Sequence, residues 1–198
     1  MSVIGRLFKR REKPPAHFLV AQLNARLQPM HRSEHFEEGL DDKLRKLKVG
    51  EISGGGTMQS ETGEIAFCDI EVKLRESSPE AERLVIETLE SLGAPKGSKL
   101  EIGGEDRVVP FGVSEGLAVY LNGTELAPET YKRFSLESIE DEFERLLDGQ
   151  GRVFSHWTGA GETAVYIYGP SFAEMSKRLD PFLRSNPLCE KCRIEQIA

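Results

Sequence analysis

The sequence predicts an α+β chain made of two copies of one βαββαβ unit, and three observations lead there. Runs with two-residue periodicity alternate with runs of helical periodicity in a fixed order. The whole order recurs once, at an offset that drifts from about 99 to about 92 residues. Glycine, proline and capping residues punctuate both copies at matching places.

The elements follow in order. Phe18 to Leu27 is an apolar extended run bounded by Gln28-Pro29, a first strand. Phe36, Leu40, Leu44 and Leu47 recur at i, i+4, i+8 and i+11, one face of a helix that Gly50 is expected to end, and His31 falls before it. Its acidic residues come early and its basic residues late, the order the helix dipole favours. A hairpin follows, turning near Thr62-Gly63. Ala66, Cys68, Ile70, Val72 and Leu74 form the core-facing set of its second strand, against Ile65, Phe67, Asp69 and Glu71 on the other face. Ser78-Pro79 supplies an N-cap and a first-turn proline for a helix striped by Ala81, Leu84, Val85, Leu89 and Leu92. Gly93 and Pro95 stop it, and Leu100 to Ile102 is a short last strand.

The second copy repeats this. Leu117 to Leu121 is a strand, and Ile139, Phe143, Leu146 and Leu147 line a helix. Val153 to Trp157 and Thr163 to Tyr168 make a hairpin, and Arg193 to Ile197 a closing strand. Ser171 with Glu174 reads as a capping box for a helix carrying Met175, Leu179, Phe182 and Leu183, which Pro181 should kink or shorten. Leu40, Leu44 and Leu47 correspond to Ile139, Phe143 and Leu146, and Gly63-Glu64 corresponds to Gly161-Glu162.

Such units fold as antiparallel sheets with helices on one face, so the prediction is two tandem ferredoxin-like units. The chain divides into a basic flexible tail at 1–15, a first unit at 16–104, a linker at 105–112 and a second unit at 113–198. Each unit leaves one sheet face open, and the two sheets are expected to cover each other or to join edge to edge. The stretches Gly50–Thr57, Gly63–Glu71 and Leu92–Leu100 resemble a group of uncharacterised bacterial proteins, which implies a bacterial origin and no particular activity.

Charge narrows the function classes. Residues 1–16 carry net +4 in a chain of net −7, leaving −11 on the remainder. A body so acidic repels phosphate backbones, so no nucleic-acid partner is expected. No apolar run is long enough to span a bilayer, and three cysteines without an export signal suit a reducing cytoplasm.

Each motif with chemical potential has a plainer reading. Gly54-Gly55-Gly56 lacks the following Gly-Lys-Ser/Thr and helix of a phosphate loop, and reads as a twisted or bulged strand. Cys189 and Cys192 have metal-ligand spacing but no second ligand pair, and His31 and His35 lack a His-Glu-x-x-His frame. Cys68 alternates with core residues. Tyr120, Tyr166 and Tyr168 stand where RNA-binding sheets place stacking aromatics, yet their surroundings are acidic, so an interface is the expectation. No catalytic residue, metal ligand or cofactor is assigned.

What remains is a non-enzymatic module that binds a basic protein, such as an immunity protein against a cationic toxin. The candidate partner-binding stripe is Glu137, Asp141, Glu144 and Asp148, spaced i, i+4, i+7 and i+11 opposite an apolar helix face, with Arg145 the nearest cation. The alternatives are an ACT-like regulator holding a small molecule between its copies, or an enzyme using carboxylates such as Asp69, Glu71 or Glu162.

Overall fold

A computed structural model describes residues 17–103 and 106–198, so the basic tail expected at 1–15 lies outside the described residues. The first unit runs β1 (His17–Leu23), α1 (Pro29–Arg32), a π-helical turn (Ser33–Glu37), α2 (Glu38–Leu47), β2 (Gly50–Gln59), β3 (Ile65–Leu74), α3 (Pro79–Ser91) and β4 (Ser98–Ile102), with β5 (Arg107–Phe111) appended. The second runs β6 (Glu115–Asn122), α4 (Pro128–Arg133), α5 (Leu136–Leu147), β7 (Arg152–Thr158), β8 (Glu162–Gly169), α6 (Phe172–Ser185), a 3₁₀ turn (Pro187–Cys189) and β9 (Arg193–Gln196).

The two sheets have orders β2-β3-β1-β4-β5 and β7-β8-β6-β9. Without β5 these are the same order, and every strand pair is antiparallel. The chain is therefore a tandem of ferredoxin-like units. β5 occupies the segment expected to be a linker. Its Val108 and Val109 extend the sheet by pairing with Glu101 and Leu100, and Pro110 is tolerated because β5 is an edge.

Local chemistry explains the element ends. Lys48 takes the left-handed conformation at the end of α2 (φ 58°), so Lys48 rather than Gly50 terminates the helix. Ser78 caps α3 by accepting the Ala81 N–H at 3.1 Å. The reciprocal capping box falls on Ser135 and Ser138 of α5; at Ser171 only half a box forms, because Glu174 turns to Arg178 at 3.0 Å. Pro181 does not shorten α6, which runs on to Ser185. The proline is exposed, so solvent can satisfy the carbonyl its missing N–H leaves open.

Cys68, Ile70, Val72 and Leu74 on β3 are buried as expected, but Ala66 is exposed and Ile65 is buried instead, because the register against β2 shifts between Met58 and Gln59. Leu40 and Leu44 are buried too, whereas Leu47 is half exposed. Leu117, Val119, Val165, Ile167 and the α5 and α6 stripes fill the second unit's own core. The opposite face of that sheet, with Ala118, Tyr120, Ala164, Tyr166 and Tyr168, belongs instead to the core of the first unit. The two sheets do not cover each other. The second sheet's open face closes one end of the first unit, where β1 exits, α3 finishes and β3 begins. Among the described residues nothing covers the first sheet's own open face, and Phe18 and Val108 on it are about half exposed. No helix among the described residues is long and apolar enough to cross a membrane.

The link between units is pinned at that same end. Val113 N–H donates to Ala94 O at 2.8 Å, and Lys96 N–H to Ser114 O at 2.8 Å. Gly112 makes this approach possible. Its φ is +113°, and a Cβ there would lie 1.9 Å from Pro95 O. The substitution Gly112→Ala should cost about 3 kcal/mol or more, roughly 6–12 °C in Tm, measured by thermal unfolding. A loss below about 1 °C would show that the junction relaxes freely.

Candidate functional site at the seam between the units

The seam is built outward from the extended segment after β1. Arg26 presents its guanidinium to Glu64, which precedes β3, and to Tyr120 on β6. One oxygen of Glu64, Oε1, also accepts the hydroxyls of Tyr120 and Tyr166, each at 2.7 Å. The backbone N–H of Arg26 donates to the Tyr168 hydroxyl at 2.9 Å. A single carboxylate thus gathers one cation and two phenols, and the phenols come from the other unit.

Electrostatics follow from this geometry. Burial alone would raise the Glu64 carboxyl, but hydrogen bonds from Tyr166 and Tyr120 and the Arg26 charge outweigh it, holding the group below the usual carboxylate range. Burial first, and then the bond to Glu64, pushes the Tyr120 hydroxyl up to about 12 and raises Tyr166 as well. These phenols are held as neutral donors. The tyrosines expose 3%, 0% and 2% of their surface, so the face that could stack bases is closed. Arg193 covers the far side of Tyr120, its Cζ 3.4 Å from the ring centroid.

A second cluster lies farther along the seam. Phe154 of β7 packs on Phe36 and stacks on His35 with ring centroids 4.4 Å apart. His31 lies within α1, earlier than the helix expected from periodicity, and its Nδ1 meets Ser155 Oγ at 2.8 Å. His35 Nε2–H reaches Phe154 O at 3.0 Å, and His156 Nδ1 meets Glu140 at 2.9 Å. Ser155 is buried, so its contact with His31 is a packing bond rather than an accessible nucleophile and base.

The remaining candidates are dispersed. Gly55 leaves room for the Arg32–Glu37 pair, since a Cβ would come 3.0 Å from each and 2.7 Å from Asp69 O. Arg32 Nη1 then donates to Gly56 O at 2.7 Å, and the strand bulges between Ile52 and Gly54. Cys189 and Cys192 close a turn in which Cys192 N–H donates to Cys189 O at 3.0 Å, and burial raises both thiols, Cys189 to about 12. Burial likewise pushes Cys68 to about 12. None of the three has the lowered thiol of a nucleophile. Among the described residues, no three His, Cys, Asp or Glu side chains are arranged to hold a metal ion. Asp69 is engaged by Gln22 at 3.2 Å and Glu162 by Arg193 at 2.9 Å; neither carboxylate is paired with the other or with Glu71.

The stripe on α5 divides in two. Glu137 and Asp141 are exposed, with no hydrogen-bond or ion-pair partner among the described residues. Glu144 instead accepts the Val153 N–H of edge strand β7 at 2.7 Å, and Asp148 caps the helix 4.0 Å from Arg178. Arg145 does not offset the stripe, because it forks onto Glu142 at 2.5 and 2.7 Å. Sequence reading missed Arg26, Glu64 and Ser155. Glu64 did carry a signal, since it recurs as Glu162 in the second copy, but there the equivalent side chain only pairs with Arg193 on the surface.

No protein-family model and no curated protein matches the chain. Solved structures do match along most of their length. The first two RRM domains of yeast poly(U) binding protein are 12% identical over 92% of this chain and 99% of that one, with a TM-score of 0.24. A putative monooxygenase from Fusobacterium nucleatum is 9% identical over 91% and 90%, TM-score 0.31. The regulatory subunit of aspartate kinase from Thermus flavus is 13% identical over 84% and 93%, TM-score 0.28. The class of protein is set by the strand order given above, a tandem ferredoxin-like α+β protein, and these likenesses add no functional argument.

Replacing Glu64 by alanine leaves Arg26 and two buried phenols without their acceptor, and should cost about 3 kcal/mol, roughly 6–12 °C in Tm. Because the folded carboxyl sits below its unfolded value, its contribution is full above about pH 4.5 and is lost as pH falls through the folded value. In Tm–pH curves, Glu64→Gln should therefore lose less stability than wild type on acidification below pH 4.5. Parallel curves would refute this role.

Proposed function

We propose that the protein is a non-enzymatic binding module that docks onto a basic protein partner, in the manner of an immunity protein that neutralises a cationic toxin. The observation that carries this reading is the outer face of α5. Its inner residues Ile139, Phe143 and Leu147 are buried, while Glu137 and Asp141 stand exposed and uncommitted on a body of net −11. Fixed carboxylates without internal partners speed encounter with a cation and set its register, at little cost to folding. The stripe narrows to these two residues, since Glu144 and Asp148 already serve the fold.

An ACT-like regulator would hold its ligand between the units, where Phe36, Phe154, Tyr166 and Tyr168 fill the space. An enzyme would need converging acid and base groups, and the carboxylates considered for that role are separately engaged or solvated. The binding reading therefore takes precedence.

The test compares wild type with Glu137→Lys/Asp141→Lys in pull-downs from the producing cells at low and physiological salt. The double variant should melt within about 1 °C of wild type, because both sites are surface positions. It should lose a basic partner that wild type retains, and that retention should weaken with salt. Equal capture by both proteins at low salt would exclude the stripe as the docking surface.

A further inference from the structure

Three of the four histidines, separated by up to 125 residues in the chain, meet at one point on the seam. The His31 ring centroid lies 6.5 Å from that of His35 and 6.0 Å from that of His156. Two of them bridge the units directly: His31 to the Ser155 hydroxyl and His35 to the Phe154 carbonyl. The π-helical turn, in which the Glu38 N–H reaches back to Ser33 O, lies at this point of the first unit.

The partners of these rings decide how they respond to protons. His31 and His35, the two seam-bridging rings, have neutral hydrogen-bond partners. Among the described residues the one carboxylate hydrogen-bonded within the cluster, Glu140, is taken by His156. Two imidazolium charges on neighbouring turns would then face each other, and a third ring, across a partly buried contact.

We propose that this histidine cluster makes the docking of the second unit onto the first pH-dependent, with proton uptake by His31 and His35 loosening the seam under mildly acidic conditions. The Phe154 carbonyl on β7 and Glu34 on the π-helical turn favour a charged His35, which Arg152 on β7 and His31 oppose. Glu34 and Glu140 on α5 favour a charged His31, which His156 on β7 opposes. Burial is the largest influence on both rings and also favours the neutral form, so both bind protons less readily than a free histidine. The sign follows: the unfolded chain takes up protons below about pH 6.5, where the folded seam resists them. The seam is therefore at full strength above that pH and weakens as pH falls below it.

The test uses the full chain. Tm is measured at pH 7.5 and 5.5 for wild type and for H31Q/H35Q, a range above the titration of ordinary carboxylates. Wild type should lose about 4 °C or more on acidification, and the double variant less than half as much. In parallel, carbon-13 NMR of the wild-type imidazoles should place the His31 and His35 midpoints below about 6.5. A wild-type Tm unchanged with pH, an equal drop in the double variant, or midpoints at or above 6.5 would each overturn the proposal. Should the variant fail to fold, the wild-type Tm and midpoints decide it.

Discussion

The Glu64 carboxylate receives a guanidinium from its own unit and two phenols from the other, all on one oxygen, and much of the architecture depends on that meeting. Burying a carboxylate is costly unless its lone pairs are filled. Here two of the three donors come from β6 and β8, so the carboxylate keeps its full set of hydrogen bonds only while the second sheet lies over the end of the first unit. Tyr120 and Tyr166 likewise need an acceptor once buried. The bond holds the second sheet in one position, and the apolar contacts of Phe36, Phe154 and Tyr168 around it supply area.

That constraint makes two like-connected units serve different ends. The second unit spends its open sheet face on the first, so its tyrosines are structural. The first unit keeps its open face, where Val20 lies opposite Glu71 and Glu101, and Gln22 opposite Asp69 and Lys99. This face is mixed in charge and partly apolar, unlike the outer face of α5. The binding surfaces left to the molecule are thus external, and the space between the units is occupied by side chains that hold it together.

The sequence carried the unit well and the assembly poorly. Periodicity and caps are local, and they foretold the order of elements, the core set on β3 apart from Ala66, and the Ser78 cap. Where a local signal misled, a specific interaction had overridden it: solvent access at Pro181, the αL conformation of Lys48, the pairing of β5 on β4. The seam was legible only in part. Tyr120, Tyr166 and Tyr168 were expected at an interface and lie there, but their partners Arg26 and Glu64 share no spacing with them, so only the packing brings the group together. His31, His35 and His156 are the same case. For the stripe, the spacing was right, but it could not show that Glu144 would be drawn to the Val153 amide.

The most direct measurement is on the second unit alone. Residues 113–198 would present Ala118, Tyr120, Ala164, Tyr166 and Tyr168 to water, a contiguous face that the full chain covers. Produced alone, this segment should bind an apolar dye and self-associate, and adding residues 17–112 in trans should suppress both. A monomeric, cooperatively melting second unit that binds no dye would contradict the claim that its sheet face exists to close the first.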